Sequence, residues 1–209
     1  MAEDQSYPRV KKFFFLFIFI LSFSKANSEN FKFVKIANLN NPWGSSFLNN
    51  DEMIITEKSG LIKIVNIINN QVNDVEHNLN FLEDGQGGLL DILHQENKVW
   101  ISYTENRGNR KTSTSIALAN LDKINLVFKN IFKANPPIDS CYHFGSRLAI
   151  KDNYLYASAG ERGKGMIAQD ASKHPGSIIR IHLDGSIPND NPKFDGKPDW
   201  LPEIYQIGI

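Results

Sequence analysis

His143 is the residue of this 209-residue sequence best suited to move a proton. It sits in Cys141-Tyr142-His143-Phe144-Gly145, and a neutral imidazole can take a hydroxyl proton near neutral pH. Taken alone, a histidine before a glycine reads more readily as a turn residue with a satisfied ring. Glu161 follows the run Tyr154-Leu155-Tyr156-Ala157-Ser158-Ala159-Gly160 and opens a long polar loop. A carboxylate there could hold one histidine tautomer and stabilise an imidazolium, as base–orienter pairs require. Glu57 and Glu105 end similar runs, so a repeated structural acid is the competing reading. Gln86, in Glu83-Asp84-Gly85-Gln86-Gly87-Gly88, is a polar side chain among glycines. Glycines let backbone approach a ligand closely, although an ordinary turn uses the same residues.

Other constellations are weaker. Gly160, Gly163 and Gly165 fit neither a dinucleotide fingerprint nor a phosphate-binding loop. Asn189-Asp190-Asn191 and Asp195 are rich in oxygen but lack calcium-loop spacing, and Pro188, Pro192 and Gly196 make them read as turns. His77, His94, His174 and His182 show no metal-ligand spacing, so no metal site is expected in this chain. His182 and Arg180 are expected on the strand face opposite Ile181 and Leu183. Without a Gly-x-Ser-x-Gly elbow, a hydrolase reading has no anchor. One cysteine excludes an internal disulfide framework and multi-cysteine metal sites, and Cys141 is expected as a small buried apolar residue. With 23 basic and 23 acidic residues the formal charge is +0, which gives no reason to expect a nucleic-acid partner.

The elements that must position these residues read as strands. Three segments share one order: a strand rich in β-branched or aromatic residues, a Glu, a turn or loop, a second strand. They are Met53–Glu57 with Leu61–Val65, Val99–Glu105 with Ser115–Ala119, and Tyr154–Glu161 with Ser177–Leu183. Their recurrence, every ~45–55 residues, is the period of a β-propeller blade. Each blade is expected as a four-stranded sheet stacked on its neighbours, with the strand before each Glu apolar on both faces. Asn49-Asn50-Asp51, Asn97-Lys98 and Lys151-Asp152-Asn153 are expected as hairpin turns. A β-sandwich is the alternative all-β arrangement. Three modules fall short of the roughly 4–8 blades of a closed ring, so an incomplete propeller is expected, either the front part of a longer protein or one partner in an assembly.

At the amino end, Lys11-Lys12 precede an apolar run from Phe13 to Leu21. It is shorter than the ~20 residues that span a bilayer. A basic pair, a short apolar core and small residues at Ser24 and Ala26 form a secretory signal, with cleavage expected after Ala26. The expected organisation is therefore a signal over 1–26 and a partial propeller over 27–209. The mature chain is expected to be exported, periplasmic or secreted, with no stable membrane span. A retained anchor is the main rival.

Several strings occur together and in order. They are Asn41-Pro42-Trp43-Gly44, Thr56-Glu57-Lys58-Ser59-Gly60, Asp84-Gly85-Gln86-Gly87-Gly88-Leu89-Leu90-Asp91 and His143-Phe144-Gly145-Ser146-Arg147-Leu148. Then follow Ala168-Gln169-Asp170, Ser172-Lys173-His174-Pro175-Gly176, Leu183-Asp184-Gly185-Ser186-Ile187-Pro188-Asn189-Asp190-Asn191-Pro192 and Pro202-Glu203-Ile204-Tyr205-Gln206-Ile207-Gly208. In this the chain resembles the soluble aldose sugar dehydrogenases that use pyrroloquinoline quinone (PQQ), the glucose/sorbosone dehydrogenase family.

The resemblance implies a six-bladed propeller of which about three blades are present. It also implies oxidation of an aldose C1 hydroxyl to the lactone, with hydride passing to PQQ. It places the base at His143 and puts Gln86 in the sugar and cofactor pocket. The family's base-orienting aspartate falls on Glu161, which keeps the carboxylate and lengthens the arm by one methylene. Family members continue Gly-His-Arg-Asn-Pro-Gln where this chain has Gly208-Ile209. Their calcium sites and remaining cofactor ligands lie in the later half. The expectation is therefore a dehydrogenase portion, truncated and not active by itself, whose complete form needs PQQ, calcium, an aldose and an external electron acceptor. The alternative is an exported, non-catalytic propeller-like binding module.

Overall fold

Runs of β-branched and aromatic residues separated by Asn, Asp and Gly turns fold as strands throughout. The structure is a computed structural model and describes residues 31–193, 196 and 199–209. The signal expected over 1–26 and the turn residue Asp195 lie outside the described residues. Residues 35–209 form one unit.

Strands β1 (Pro42–Phe47), β2 (Glu52–Glu57), β3 (Leu61–Asn66) and β4 (Val72–His77) make an antiparallel meander. Strands β5 (Leu89–Gln95), β6 (Lys98–Asn106) and β7 (Thr112–Asn120) start a second. After the short β8 (Asn125–Leu126), β9 (Lys129–Lys133) completes that sheet in the order β5-β6-β7-β9. Strands β10 (Gly145–Lys151), β11 (Tyr154–Ala159), β12 (Ser177–His182) and β13 (Ile204–Ile207) form the third, with a 3₁₀ turn at Gly165–Gln169 between β11 and β12. Asp152 and Asn153, at φ 51° and 64°, supply the two left-handed positions of the β10–β11 hairpin.

Each expected strand–Glu–strand segment is the central hairpin of one sheet: β2–β3, β6–β7 and β11–β12. The three sheets stack, and among the described residues none closes on itself. Ile54, Ile62 and Ile64 of the first sheet bury against Ile92, Val99 and Ile101 of the second. Trp100 and Ile116 of the second bury against Leu155, Ile179 and Ile181 of the third. Alternation along β6 thus feeds both interfaces.

Two expectations change. The first sheet has five strands, because β8 pairs in parallel with the outer strand β4 through Glu76–Asn125 and His77–Leu126. Leu126 is fully buried in the first interface, which draws this segment of the second module across to its neighbour. Strand β11 is buried on one face only. Leu155, Ala157 and Ala159 enter the core, while the opposite face carries Tyr154 beneath the Arg180 guanidinium, 4.0 Å from the ring centroid. His182 shares that face, its ring 5.1 Å from Tyr154, as the alternation of β12 required.

Buried hydroxyls tie the inner strands together. Thr56 Oγ1 accepts the Gly44 N–H at 2.9 Å and donates to Leu90 O at 2.5 Å. Ser102 Oγ accepts the Asp91 N–H at 3.0 Å and donates to Ser146 O at 2.5 Å. The same device therefore joins β1 and β2 to β5, and β5 and β6 to β10. In these meanders the start of each inner strand and the loop between its second and third strands fall at one end of the stack. Gln86 precedes β5, His143 precedes β10 and Glu161 follows β11, so topology delivers all three to that end.

Candidate functional site

His143 occupies the left-handed region, with φ 49°. There its backbone N–H donates to Gln86 Oε1 at 2.8 Å. Its ring Nδ1 is hydrogen-bonded to Glu161 Oε1. The structure thus brings the three sequence-predicted residues together from three separate loops. The methylene that Glu161 adds does not prevent the contact. Glu161 Oε1 also accepts the Gly163 N–H at 3.1 Å. Burial raises the Glu161 carboxyl, but the hydrogen bonds from His143 and from backbone N–H groups outweigh it and hold it below its ordinary value.

An ionised carboxylate at Nδ1 selects the tautomer with the proton on Nδ1, leaving the Nε2 lone pair bare. The His143 side chain is 53% exposed, and its Nε2 makes no hydrogen bond among the described residues. Gln86 is exposed as well, and its amide N–H groups are likewise unbonded among those residues. The site therefore offers one oriented acceptor and one donor facing solvent.

The supporting loops are tightly held. Gln86 N–H donates to Cys141 O at 2.9 Å, and Lys58 Nζ donates to Gly85 O at 2.6 Å. Gly88 has φ +149°, and a Cβ there would lie 2.0 Å from Lys58 O. A Cβ on Gly160 would lie 2.1 Å from His143 O, so only glycine lets the Glu161 loop pass this close. Phe144 is buried, and its carbonyl accepts from the Gly160 N–H at 3.0 Å and Thr114 Oγ1 at 2.8 Å. Cys141, expected to be buried, is only half-buried; it lies in the loop surface against Gly85.

Glu57, Glu105 and Glu161 do not occupy matching places. Glu57 and Glu105 lie inside β2 and β6 and are buried, whereas Glu161 stands two residues beyond β11. Glu105 accepts from Ser115 at 2.7 Å, Asn130 at 3.0 Å and Lys133 at 2.6 Å, a network that joins β6, β7 and β9. Glu57 accepts the Asn40 N–H at 2.7 Å. Those two acids hold strands, and Glu161 alone reaches the histidine.

Sequence reasoning missed Arg162. Its side chain is buried, and its guanidinium lies 3.7 Å above the Phe144 ring centroid. Burial pulls the group down to about 10, partly offset by the neighbouring Glu161 carboxylate. An arginine after a glutamate reads as a solvated ion pair, and nothing in the local string marks it as interior. Among the other histidines, His174 is buried, with Nδ1 accepting the Asn135 N–H at 2.9 Å and its ring edge-on to Phe132. Among the described residues no group of three or more His, Cys, Asp or Glu is placed to hold a metal ion. Among the same residues no helix is long and apolar enough to cross a membrane.

Comparison with known proteins matches residues 39–209 to the family model described as Glucose / Sorbosone dehydrogenase. The aldose sugar dehydrogenase YliI of Escherichia coli is 31% identical over 181 residues, covering 82% of this chain and 48% of that relative. Quinoprotein glucose dehydrogenase B of Acinetobacter calcoaceticus is 28% identical over 230 residues, covering 89% and 46% respectively. The chain spans about half the length of the curated relatives it matches. Among solved structures, the apo form of the soluble aldose sugar dehydrogenase from E. coli superposes with a TM-score of 0.76 at 29% identity, over 82% of this chain and 52% of that one. The PQQ-bound aldose sugar dehydrogenase from Streptomyces coelicolor shares the fold, with a TM-score of 0.66 at 24% identity over 77% and 50%. The three stacked sheets are thus part of a propeller of this type.

Proposed function

Because the chain belongs to the glucose/sorbosone dehydrogenase family, we propose that it supplies the proton-accepting part of a sugar dehydrogenase acting on the C1 hydroxyl of aldoses. The observation that carries this reading is the His143–Glu161 hydrogen bond beside an unbonded, solvent-facing Nε2. A base must be within reach of its proton and in the right tautomer, and both conditions depend on groups in this chain.

The residues present fit the family's cofactor at one edge. Gln86 offers unbonded amide donors and His143 offers a bare nitrogen, both at the exposed end of the site. Gln86 and His143 are the groups that would border PQQ and the sugar. When bound, PQQ supplies the two-electron acceptor for hydride. The Gln86 amide would donate to an oxygen of the bound sugar or cofactor and orient it. Nε2 of His143 receives the C1 hydroxyl proton, and Glu161 stabilises the imidazolium that results. Loss of that proton and of the C1 hydride converts C1–OH to the lactone carbonyl. Calcium, which the family resemblance implies, would be held by residues outside this chain. With the cofactor bound, its electrons would pass on to an external acceptor.

Export belongs to the same proposal, supported by Lys11-Lys12 and the apolar run Phe13 to Leu21; sequencing the amino end of the secreted protein tests it, with Asn27 expected first. For the activity, the chain is joined to the C-terminal half of the E. coli relative and assayed with PQQ, Ca²⁺, an aldose and a redox dye. The joined protein is expected to reduce the dye and the chain alone is not. A folded joined protein that binds PQQ yet leaves aldoses unoxidised contradicts the proposal.

A further inference from the structure

Arg162 bonds to the segment that leads into His143 while following Glu161 directly in the chain. Its Nε–H donates to Tyr142 O at 3.0 Å, and an Nη2–H donates to Ser140 O. The same fork reaches β7, where Nη1 donates to Thr112 O at 3.2 Å and Nη2 to Thr112 Oγ1 at 2.7 Å. Its backbone N–H donates to His143 O at 3.3 Å. The Phe144 ring lies against the guanidinium and also packs against Gly87, where a Cβ would fall 2.9 Å from the ring.

The partners of this buried cation are carbonyls, a hydroxyl and an aromatic face. A desolvated charge so held is costly. It also fixes direction: a planar fork with several donors bonds a set of carbonyls in one orientation only, which an ammonium does not. Through its main chain Arg162 is continuous with Glu161, and through its side chain it holds the Ser140 and Tyr142 carbonyls of the segment that leads into His143. Both members of the hydrogen-bonded pair are referred to one rigid point on β7.

We propose that Arg162 is a positioning residue that keeps His143 Nδ1 on Glu161 and so keeps Nε2 bare. This rests on the base assignment above, but its test needs neither sugar nor cofactor. The ring nitrogens of the full chain are observed by long-range ¹H–¹⁵N correlation at neutral pH, with melting temperature measured alongside. The wild-type His143 ring is expected to show a protonated Nδ1 and a bare Nε2. In Arg162→Lys, which keeps charge and loses the fork, the two His143 nitrogens are expected to move toward each other as the tautomers mix. His77 and His174 keep their wild-type shifts.

A His143 ring unmoved in a folded Arg162→Lys protein, even one of lower melting temperature, reduces Arg162 to a packing role and overturns the proposal. Thr112→Val removes one recipient of the fork and serves where the lysine variant does not fold. A smaller shift in the same direction supports the proposal, and none overturns it. A wild-type ring protonated on Nε2 overturns both the proposal and the base assignment, whereas a correct wild-type ring with unmoved variants overturns the role of Arg162 alone.

Discussion

Which nitrogen of His143 carries a proton decides what the residue can do. Glu161 holds the proton on Nδ1 through a bond to a charged acceptor, a class worth about 1.5–3 kcal/mol. With the ring half in solvent the lower figure applies. Glu161→Gln should then cost roughly 10-fold in kcat of the completed enzyme, at 1.36 kcal/mol per tenfold, with sugar KM little changed. Gly160→Ala should cost about 1–3 kcal/mol of stability as its Cβ meets His143 O. Denaturant midpoints check this, and a midpoint equal to wild type contradicts the close packing of the two loops. Gln86 and His143 were legible as candidates because each sits in a short, distinctive string, and Glu161 because it closes an apolar strand run. Arg162 was not, because its burial is created by β7 and the His143 loop, which are far apart in sequence.

Strand β6 carries the packing between elements, turning Val99 and Ile101 toward the first sheet and Trp100 toward the third. Trp100 is fully buried, and its Nε1–H donates to Leu183 O at 2.9 Å. Trp100→Ala should destabilise by about 3–5 kcal/mol and Leu155→Ala by about 2–5 kcal/mol, read from urea unfolding. Losses below 1 kcal/mol would mean that the second and third sheets do not share a core. The central hairpins were legible from their apolar runs. The outer strands were not: β4 reads Val72-Asn73-Asp74-Val75-Glu76-His77, largely polar because one face meets solvent. The two-residue β8 carries no periodicity at all, and only burial of Leu126 reveals its place.

At the scale of the molecule, three stacked sheets account for about half of the relatives' length. Carboxylates of the first sheet and of the loops of the third are held below their ordinary values by their partners. Lys123 and Asn49 lower Glu52, Lys173 and Ser172 bring Asp170 down to about 2, Arg180 lowers Asp190, and His174 lowers Glu203. An acid with a depressed folded value contributes stability that is present above its unfolded value and lost as pH falls through the folded one. The urea midpoint should therefore hold from pH 7 to about 5 and fall progressively toward pH 2; a midpoint that rises on acidification contradicts these pairings. The repeat that defines the fold was legible as a spacing, while the meeting of three loops at one end of it required the stacked sheets. The most direct measurement of the central claim is turnover of an aldose by the ring completed with a relative's C-terminal half, wild type against His143→Ala. A general base contributes about 10²–10⁴-fold, so kcat is expected to fall by that amount with PQQ still bound. Undiminished turnover in the alanine variant would contradict the account.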